Sequence, residues 1–240
     1  MPTRDWPGRW RPPARVSWQW QLTGSLDLGV DADVYDVDVF TTSAAQVRQL
    51  HAQGRRVICY LNAGSYEPGR PDSTSYPAAI LGQPLDGWPG ERWLDVRRLD
   101  LVLPLIAARM DLCASKGFDG VEPDNVDGYV NDTGFDLTVA DQERFNRELA
   151  RLAHERGLAV GLKNDLDQVD VLQPAFDFAV NEQCVQEREC SRLLPFVTAG
   201  KPVLHVEYDL QPASFCAMTG AMGFSSMHKP LALDASRTAC

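Results

Sequence analysis

The chain reads as an α/β protein, a single-domain (β/α)8 barrel of the TIM type with one candidate strand to spare. Three observations carry that expectation. Short, almost continuously apolar segments alternate with amphipathic helices, which makes the strands parallel and buries both of their faces. A glycine ends each of the clearest helices and leads directly into a strand. The 240 residues and 26.6 kDa, with no Ser/Gly/Pro-rich linker or compositional break in the middle, suit one barrel.

Residues 1–16 are rich in Pro, Arg and Trp and lack the apolar stretch of a signal peptide, so they read as an N-terminal extension before a barrel domain at 17–240. The first strand, 17–22, places Trp18 and Trp20 on one face at period two. A second follows at 34–40. Thr42 or Ser43 caps a helix carrying Val47 and Leu50, and Gly54 ends it before the strand 56–61. From Asn62 to Trp93 the chain holds Pro68, Pro71, Pro77, Pro84 and Pro89, the mark of a long loop roofing a cleft. The segment 92–96 is the weakest strand candidate. A helix from Val102 to Lys116 carries Ile106, Met110 and Cys113 and stops at Gly117, ahead of the strand 118–122. Thr138 with Asp141 forms a capping-box pattern for a helix carrying Phe145, Leu149 and Leu152, which Gly157 terminates before 158–163. Strands at 177–181, 202–207 and 222–227 complete the set. That is nine where a closed barrel needs eight. The alternative is an open doubly wound sheet, but no Gly-x-Gly-x-x-Gly turn follows the first strand.

The formal charge of −10 and pI near 4.8 argue against a nucleic-acid partner and suit a neutral or, better, a cationic substrate. No apolar run approaches the length that spans a bilayer. Cys184 and Cys190 bracket a loop small enough for a disulfide to close, and Cys216 is the nearest partner for the terminal Cys240. Cys59 and Cys113 stay open between pairing and free buried thiols. With no Cys-x-x-Cys pair, and no zinc-ligand spacing among His51, His154, His205 and His228, no metal or cofactor is expected. An exported, disulfide-bearing monomer is the reading.

Four apolar segments end in polar groups: Asp119, Glu122, Asp124 and Asp127 around the strand 118–122, Lys163-Asn164-Asp165, Asn181-Glu182-Gln183, and Glu207-Tyr208-Asp209. One such ending is a solvated turn or a weak cation site. Four form a rim at the strand C-termini, where a barrel keeps its chemistry. Trp18, Trp20, Tyr66, Trp88, Trp93, Tyr129 and Tyr208 add rings on which sugar C–H faces stack, against a core-packing role for any single one. Asn131-Asp132-Thr133 fits a glycosylation sequon and marks a surface loop. There is no Gly-x-Ser-x-Gly elbow, no Cys in a catalytic setting and no EF-hand spacing. Two-carboxylate chemistry, as in glycoside cleavage, remains.

The stretches Trp18-Gln-Trp-Gln-Leu22, Val57-Ile-Cys-Tyr60 with Ala63-Gly-Ser-Tyr-Glu67, Gly117-Phe-Asp-Gly-Val-Glu-Pro-Asp-Asn125, Gly161-Leu-Lys-Asn-Asp165 and Asn181-Glu-Gln-Cys184 resemble, in order, glycoside hydrolase family 114, the endo-α-1,4-polygalactosaminidases. The resemblance runs from about residue 17 to 240. It implies a barrel, export, and internal cleavage of α-1,4-linked, galactosamine-containing polysaccharide. A carbohydrate-binding barrel without turnover and an α-glycosidase of different sugar specificity are the alternatives. By motif, the catalytic carboxylates fall on Asp124 and Glu182, with Glu122 competing in the first run. Trp20, Tyr66, Glu122, Asn125, Lys163, Asn164, Gln183, Glu207 and Tyr208 are the expected substrate-binding residues. The expected roles are Asp124 as nucleophile, kept ionised by the Asn125 amide, and Glu182 as acid/base, protonated through burial. Position 118 is Phe where relatives commonly carry Cys. Cys113, one helical turn earlier, is the compensating candidate, which leaves the partner of Cys59 open.

Overall fold

The computed structural model describes residues 8–240; residues 1–7 of the N-terminal extension lie outside the described residues. The main sheet opens with β1 (Trp18–Gln21), β2 (Val34–Asp38) and β3 (Arg56–Asn62). An excursion follows, holding β4 (Ser65–Tyr66), β5 (Leu81–Pro84) and β6 (Arg92–Leu94), which pair antiparallel with one another in the order β4-β6-β5. The main sheet resumes with β7 (Gly120–Asp124), β8 (Ala159–Lys163), β9 (Phe178–Glu182), β10 (Val203–Glu207) and β11 (Ser225–His228). A short β12 (Thr238–Ala239) adds antiparallel to β11. The ninth candidate, 92–96, is therefore no barrel strand. Its partners are β4 and β5 within the same excursion. Among the described residues eight parallel strands remain, in the order β1-β2-β3-β7-β8-β9-β10-β11.

The crossovers carry α1 (Ala44–Ala52), α2 (Leu99–Lys116), α3 (Val139–Glu155), α4 (Val169–Leu172), α5 (Leu194–Thr198) and α6 (Pro212–Met222). Ser43 with Gln46 and Thr138 with Asp141 form reciprocal capping boxes at the starts of α1 and α3. Gly117 ends α2 at φ 90°, a left-handed turn for which glycine has no Cβ penalty.

Alternation sorts the strand side chains into two cores. Tyr35, Val37, Cys59, Leu61, Val121 and Val160 face the helices. Trp18, Trp20, Val34, Ile58, Phe178, Val180, Leu204, Val206 and Met227 share one inner cluster. Residues of β1 and β11 meet in that cluster, so the sheet curls until its ends face each other. No ladder joins β1 to β11. Instead Trp18 Nε1 donates to Ser225 O, and the C-terminal segment fills the seam, with Leu22 N and Thr23 N donating to Leu233 O. Burying two tryptophans, at about 4–6 kcal/mol each from their area, outweighs a few absent ladder bonds at about 1 kcal/mol each. At the N-terminal end of the barrel, Arg9 pairs with Asp177 at 2.9 Å and Trp10 packs on Phe178.

All six cysteines are paired, as Cys59–Cys113, Cys184–Cys190 and Cys216–Cys240. Cys59 is thus tied to Cys113, fastening β3 to α2. That link closes a loop with a sequence separation of 54, for which chain entropy alone stabilises the fold by roughly 4 kcal/mol. Among the described residues no helix is long and apolar enough to cross a membrane.

Candidate active site

Parity along the strands aims four polar side chains into the C-terminal mouth: Tyr60 on β3, Asp124 on β7, Lys163 on β8 and Glu182 on β9. The residue after each of the last three is left-handed: Asn125 (φ 58°), Asn164 (φ 46°) and Gln183 (φ 60°). Asn tolerates this region and Gln does so at a cost of roughly 1 kcal/mol or more. The amides beside each rim group in the sequence therefore mark sharp bends where the chain leaves the sheet. Gly64 is required by close approach, since a Cβ there would lie 1.6 Å from Asn125 O. Ala63 N and Gly64 N both donate to Asp124 O at 3.0 Å, clamping that strand end.

Lys163 is the hub. Its Nζ lies 2.9 Å from Asp124 Oδ1, 3.3 Å from Glu182 Oε2 and 3.4 Å from Glu122 Oε1, and 4.8 Å from the centre of the Trp20 ring. Asp124 also accepts from Tyr60 OH (2.7 Å) and from the backbone N–H of Asn125 (2.8 Å). Burial opposes its ionisation, yet the charge and hydrogen bond of Lys163, joined by those of Tyr60 and Asn125, hold Asp124 below the usual carboxylate range. The Asn125 donor is thus its main chain; its side-chain amide instead lies 3.4 Å from Ser65 Oγ.

Glu182 accepts from Tyr208 OH and from Asn164 Nδ2 (3.1 Å), while its own N–H donates to Asn164 Oδ1 (3.0 Å). The expectation of a deeply buried Glu182 is not met. Its side chain is 25% exposed to the cleft and lies beside Lys163. Glu122 is the buried one, fully enclosed beneath Asp124 and pushed up to about 7, first by burial. The Cys184–Cys190 link follows Glu182 directly.

The cleft measures about 630 Å³ and is lined on the barrel side by Trp20, Tyr60, Asp124, Asn125, Lys163, Asn164 and Glu182. The 62–93 excursion supplies the facing wall through Gln83, Asp86, Trp88, Glu91 and Trp93. A smaller lobe of about 250 Å³ continues past Glu182 along Asp127, Tyr129, Asp165 and Asp167. Burial is the first cause that lifts Asp127 to about 6, Glu91 to about 7 and Asp165 to about 8, and neighbouring carboxylates add to it.

Other expected residues are not brought to the cleft. Tyr66 packs edge-on against Tyr76 (5.6 Å). Gln183 contributes a main-chain bond to Val206 O and does not line either space. Glu207 lies on the outer parity of β10, where it bonds His205 Nε2 (3.0 Å) and accepts Val185 N–H (2.8 Å); the next residue, Tyr208, reaches the site. Asp119 precedes β7 and so sits at the opposite end of the barrel, accepting Val57 N–H and pairing with Arg56 and His51. Trp18 lies inside, with its ring stacked on Trp20. Tyr60 and Glu91 were absent from the expected site. Alternation from Ile58 would have found Tyr60, whereas Glu91 depends on the path of the excursion.

The family model described as glycoside-hydrolase family GH114 matches residues 2–240. A crystal structure of Ega3 from Aspergillus fumigatus in complex with galactosamine is 40% identical, with a TM-score of 0.93, covering 97% of this chain and 98% of that one. The glycoside hydrolase domain of PelA from Pseudomonas aeruginosa, 16% identical with a TM-score of 0.73, covers 93% of this chain and 98% of that one and shares the fold. An uncharacterized protein of Deinococcus radiodurans is 29% identical over 231 residues, which span 82% of this chain and 73% of that protein. The match over nearly the whole length, on a barrel with this mouth, makes the chain a member of glycoside hydrolase family GH114.

Proposed function

We propose that the chain cleaves α-1,4-linked, galactosamine-containing polysaccharide internally and with retention, outside the cytosol, using Asp124 as nucleophile and Glu182 as acid/base. One observation carries the reading: a single ammonium, Lys163 Nζ, touches both carboxylates. The two oxygens it contacts therefore lie at most about 6.2 Å apart, which favours the ~5–5.5 Å spacing of a retaining pair over the ~6.5–9.5 Å that an inverting pair leaves for a water. Asp124, held ionised, attacks the anomeric carbon while Glu182 gives its proton to the departing glycosidic oxygen. Water then enters, yields a proton to Glu182, and its oxygen displaces Asp124. Lys163 and the Tyr60 and Tyr208 hydroxyls fix both carboxylates before substrate arrives.

The substrate assignment rests on the Ega3 likeness, whose crystal structure holds galactosamine, and on the sign of the cleft. Asp86, Glu91, Asp127 and Asp132 line it, while Lys163 is already engaged by carboxylates. An ammonium-bearing sugar chain is drawn to such a groove, less strongly as salt rises. Three disulfides fit an oxidising compartment. Release of reducing ends from deacetylated and acetylated polygalactosamine tests the reading. The deacetylated polymer should be cut to mid-length fragments first. Asp124→Asn and Glu182→Gln should each lose about 10²–10⁴-fold in kcat without unfolding. Near-normal turnover by Asp124→Asn with a dead Glu122→Gln would transfer the role to Glu122.

A further inference from the structure

Beneath the reacting pair, two more acids face the barrel interior: Asp36 on β2 and Glu122 on β7. Both are fully buried. No N–H or O–H donor among the described residues bonds any of their four carboxyl oxygens. The nearest cation, Lys163 Nζ, stands 3.4 Å from Glu122 Oε1 outside hydrogen-bond geometry, and it is bonded to Asp124 instead. Asp36 and Glu122 point inward from the two strands that flank β3, level with Ile58 and Tyr60 respectively, which brings their carboxyls within interacting reach of each other. Two carboxylates have only acceptors to offer, so a bond between them needs a proton on one. Two bare charges side by side in a dry interior would repel strongly.

We propose that Asp36 and Glu122 act as one acid pair that shares a single proton, and that this pair positions Lys163 between Asp124 and Glu182. The O–H of one member donates to the carboxylate of the other, leaving one net negative charge below Lys163. The charged and titratable groups around it are Tyr60 from β3, Asp124 from β7, Lys163 from β8, Glu182 from β9 and Tyr208 beyond β10. Burial first, then each other's charge, lifts Asp36 well above its ordinary range, and burial lifts Glu122 to about 7. While the proton stays, Lys163 is free to hold the upper pair. Once it leaves, a second negative charge competes for Lys163 from below, and Asp124 and Glu182 lose their common anchor. Asp36 and Glu122 touch no substrate in this scheme; they act through Lys163.

The kinetic arm of the test rests on the hydrolytic reading above, and the spectroscopic arm does not. In the first, pH profiles of kcat and KM are compared for the wild type, Asp36→Leu and Asp36→Asn. Asp36→Leu leaves Glu122 as a lone carboxylate beside Lys163, so kcat should fall about 30-fold with KM moving less than threefold. Asp36→Asn supplies an N–H donor that no pH can remove. It should restore most of that loss and move the alkaline limb up by about one pH unit or more. Equal kcat in all three proteins, or an alkaline limb unmoved in Asp36→Asn, would overturn the proposal. In the second arm, infrared spectra of substrate-free protein at pH 7 should show a protonated-carboxyl C=O band that Glu122→Gln diminishes. A wild-type spectrum without such a band, or one that Glu122→Gln leaves intact, would overturn it whatever the polymer assay gives. Wild type that cuts no galactosamine polymer would instead contradict the hydrolytic reading and leave the infrared result to decide the pair.

Discussion

The two ends of this barrel treat the same residue type in opposite ways. At the N-terminal end, Asp33, Asp119 and Asp177 each stand immediately before a strand, and each accepts the backbone N–H at or beside the start of a neighbouring one: Ser17 (2.9 Å), Val57 (2.8 Å) and Val160 (3.0 Å). Their other oxygens and lone pairs are also engaged, by the Ser17 hydroxyl, by Arg56 with His51, and by Arg9 with His154. At the C-terminal end, Asp36, Glu122, Asp124 and Glu182 crowd around one ammonium, and burial first pushes up Asp127 and Asp165, with Asp124 adding to it at Asp127 and Asp127 adding to it at Asp165. Acids matched by donors hold the sheet together. Acids that must share one ammonium keep a proton or a charge in reserve for chemistry. Counting carboxylates cannot separate the two ends; counting the acids that share one cation does.

The comparison breaks most visibly at Lys163. Lys163→Met should lower kcat by about 10³-fold, the scale of removing one preorganised charge. It should also raise the acidic limb of the pH profile, because Asp124 loses the cation that holds it low. An unchanged acidic limb would mean that Lys163 does not govern the mouth.

A smaller effect is expected below. Asp119→Ala strands the Val57 N–H, the Arg56 guanidinium and the His51 ring nitrogen, costing about 2–3 kcal/mol in denaturant unfolding. Turnover at 25 °C should stay within twofold of wild type. A large loss of kcat in a folded Asp119→Ala would erase the distinction between the ends.

The smallest effect concerns pH. The Asp165 carboxyl rises from an ordinary 3.8 to about 8 on folding, so the folded state holds its proton more tightly than the unfolded chain. Its stabilising share is whole below about pH 3.8 and is lost as pH climbs to about 8. Asp165→Asn should therefore leave Tm unchanged near pH 4 and raise it by about 2–4 °C at pH 9, for each kcal/mol regained. A gain confined to pH 4 would reverse the sign.

Much of the frame was legible because it rests on local rules. Ser43, Thr138 and Gly117 announce helix ends through caps that need only their neighbours. The mouth was legible as strand ends carrying acids and amides, and the amides turn out to mark the left-handed bends at Asn125, Asn164 and Gln183. What stayed hidden depends on path and parity. Segment 92–96 has strand character, but its partners come from its own excursion. Asp119 and Glu207 look like mouth acids until strand start and strand face are fixed by pairing. The Cys59–Cys113 link needs α2 to be packed on β3 before the two sulfurs can meet. The seam that Leu233 helps to fill is irregular chain with no periodicity to read.

Proton NMR of the first product released from deacetylated polygalactosamine, recorded before mutarotation, tests the role of Asp124 most directly. Attack by an ionised Asp124 followed by water gives two inversions, so the new reducing end should appear as the α-anomer of the parent linkage. A β-anomer appearing first would mean a single displacement by water, and Asp124 would then be a base rather than the attacking group.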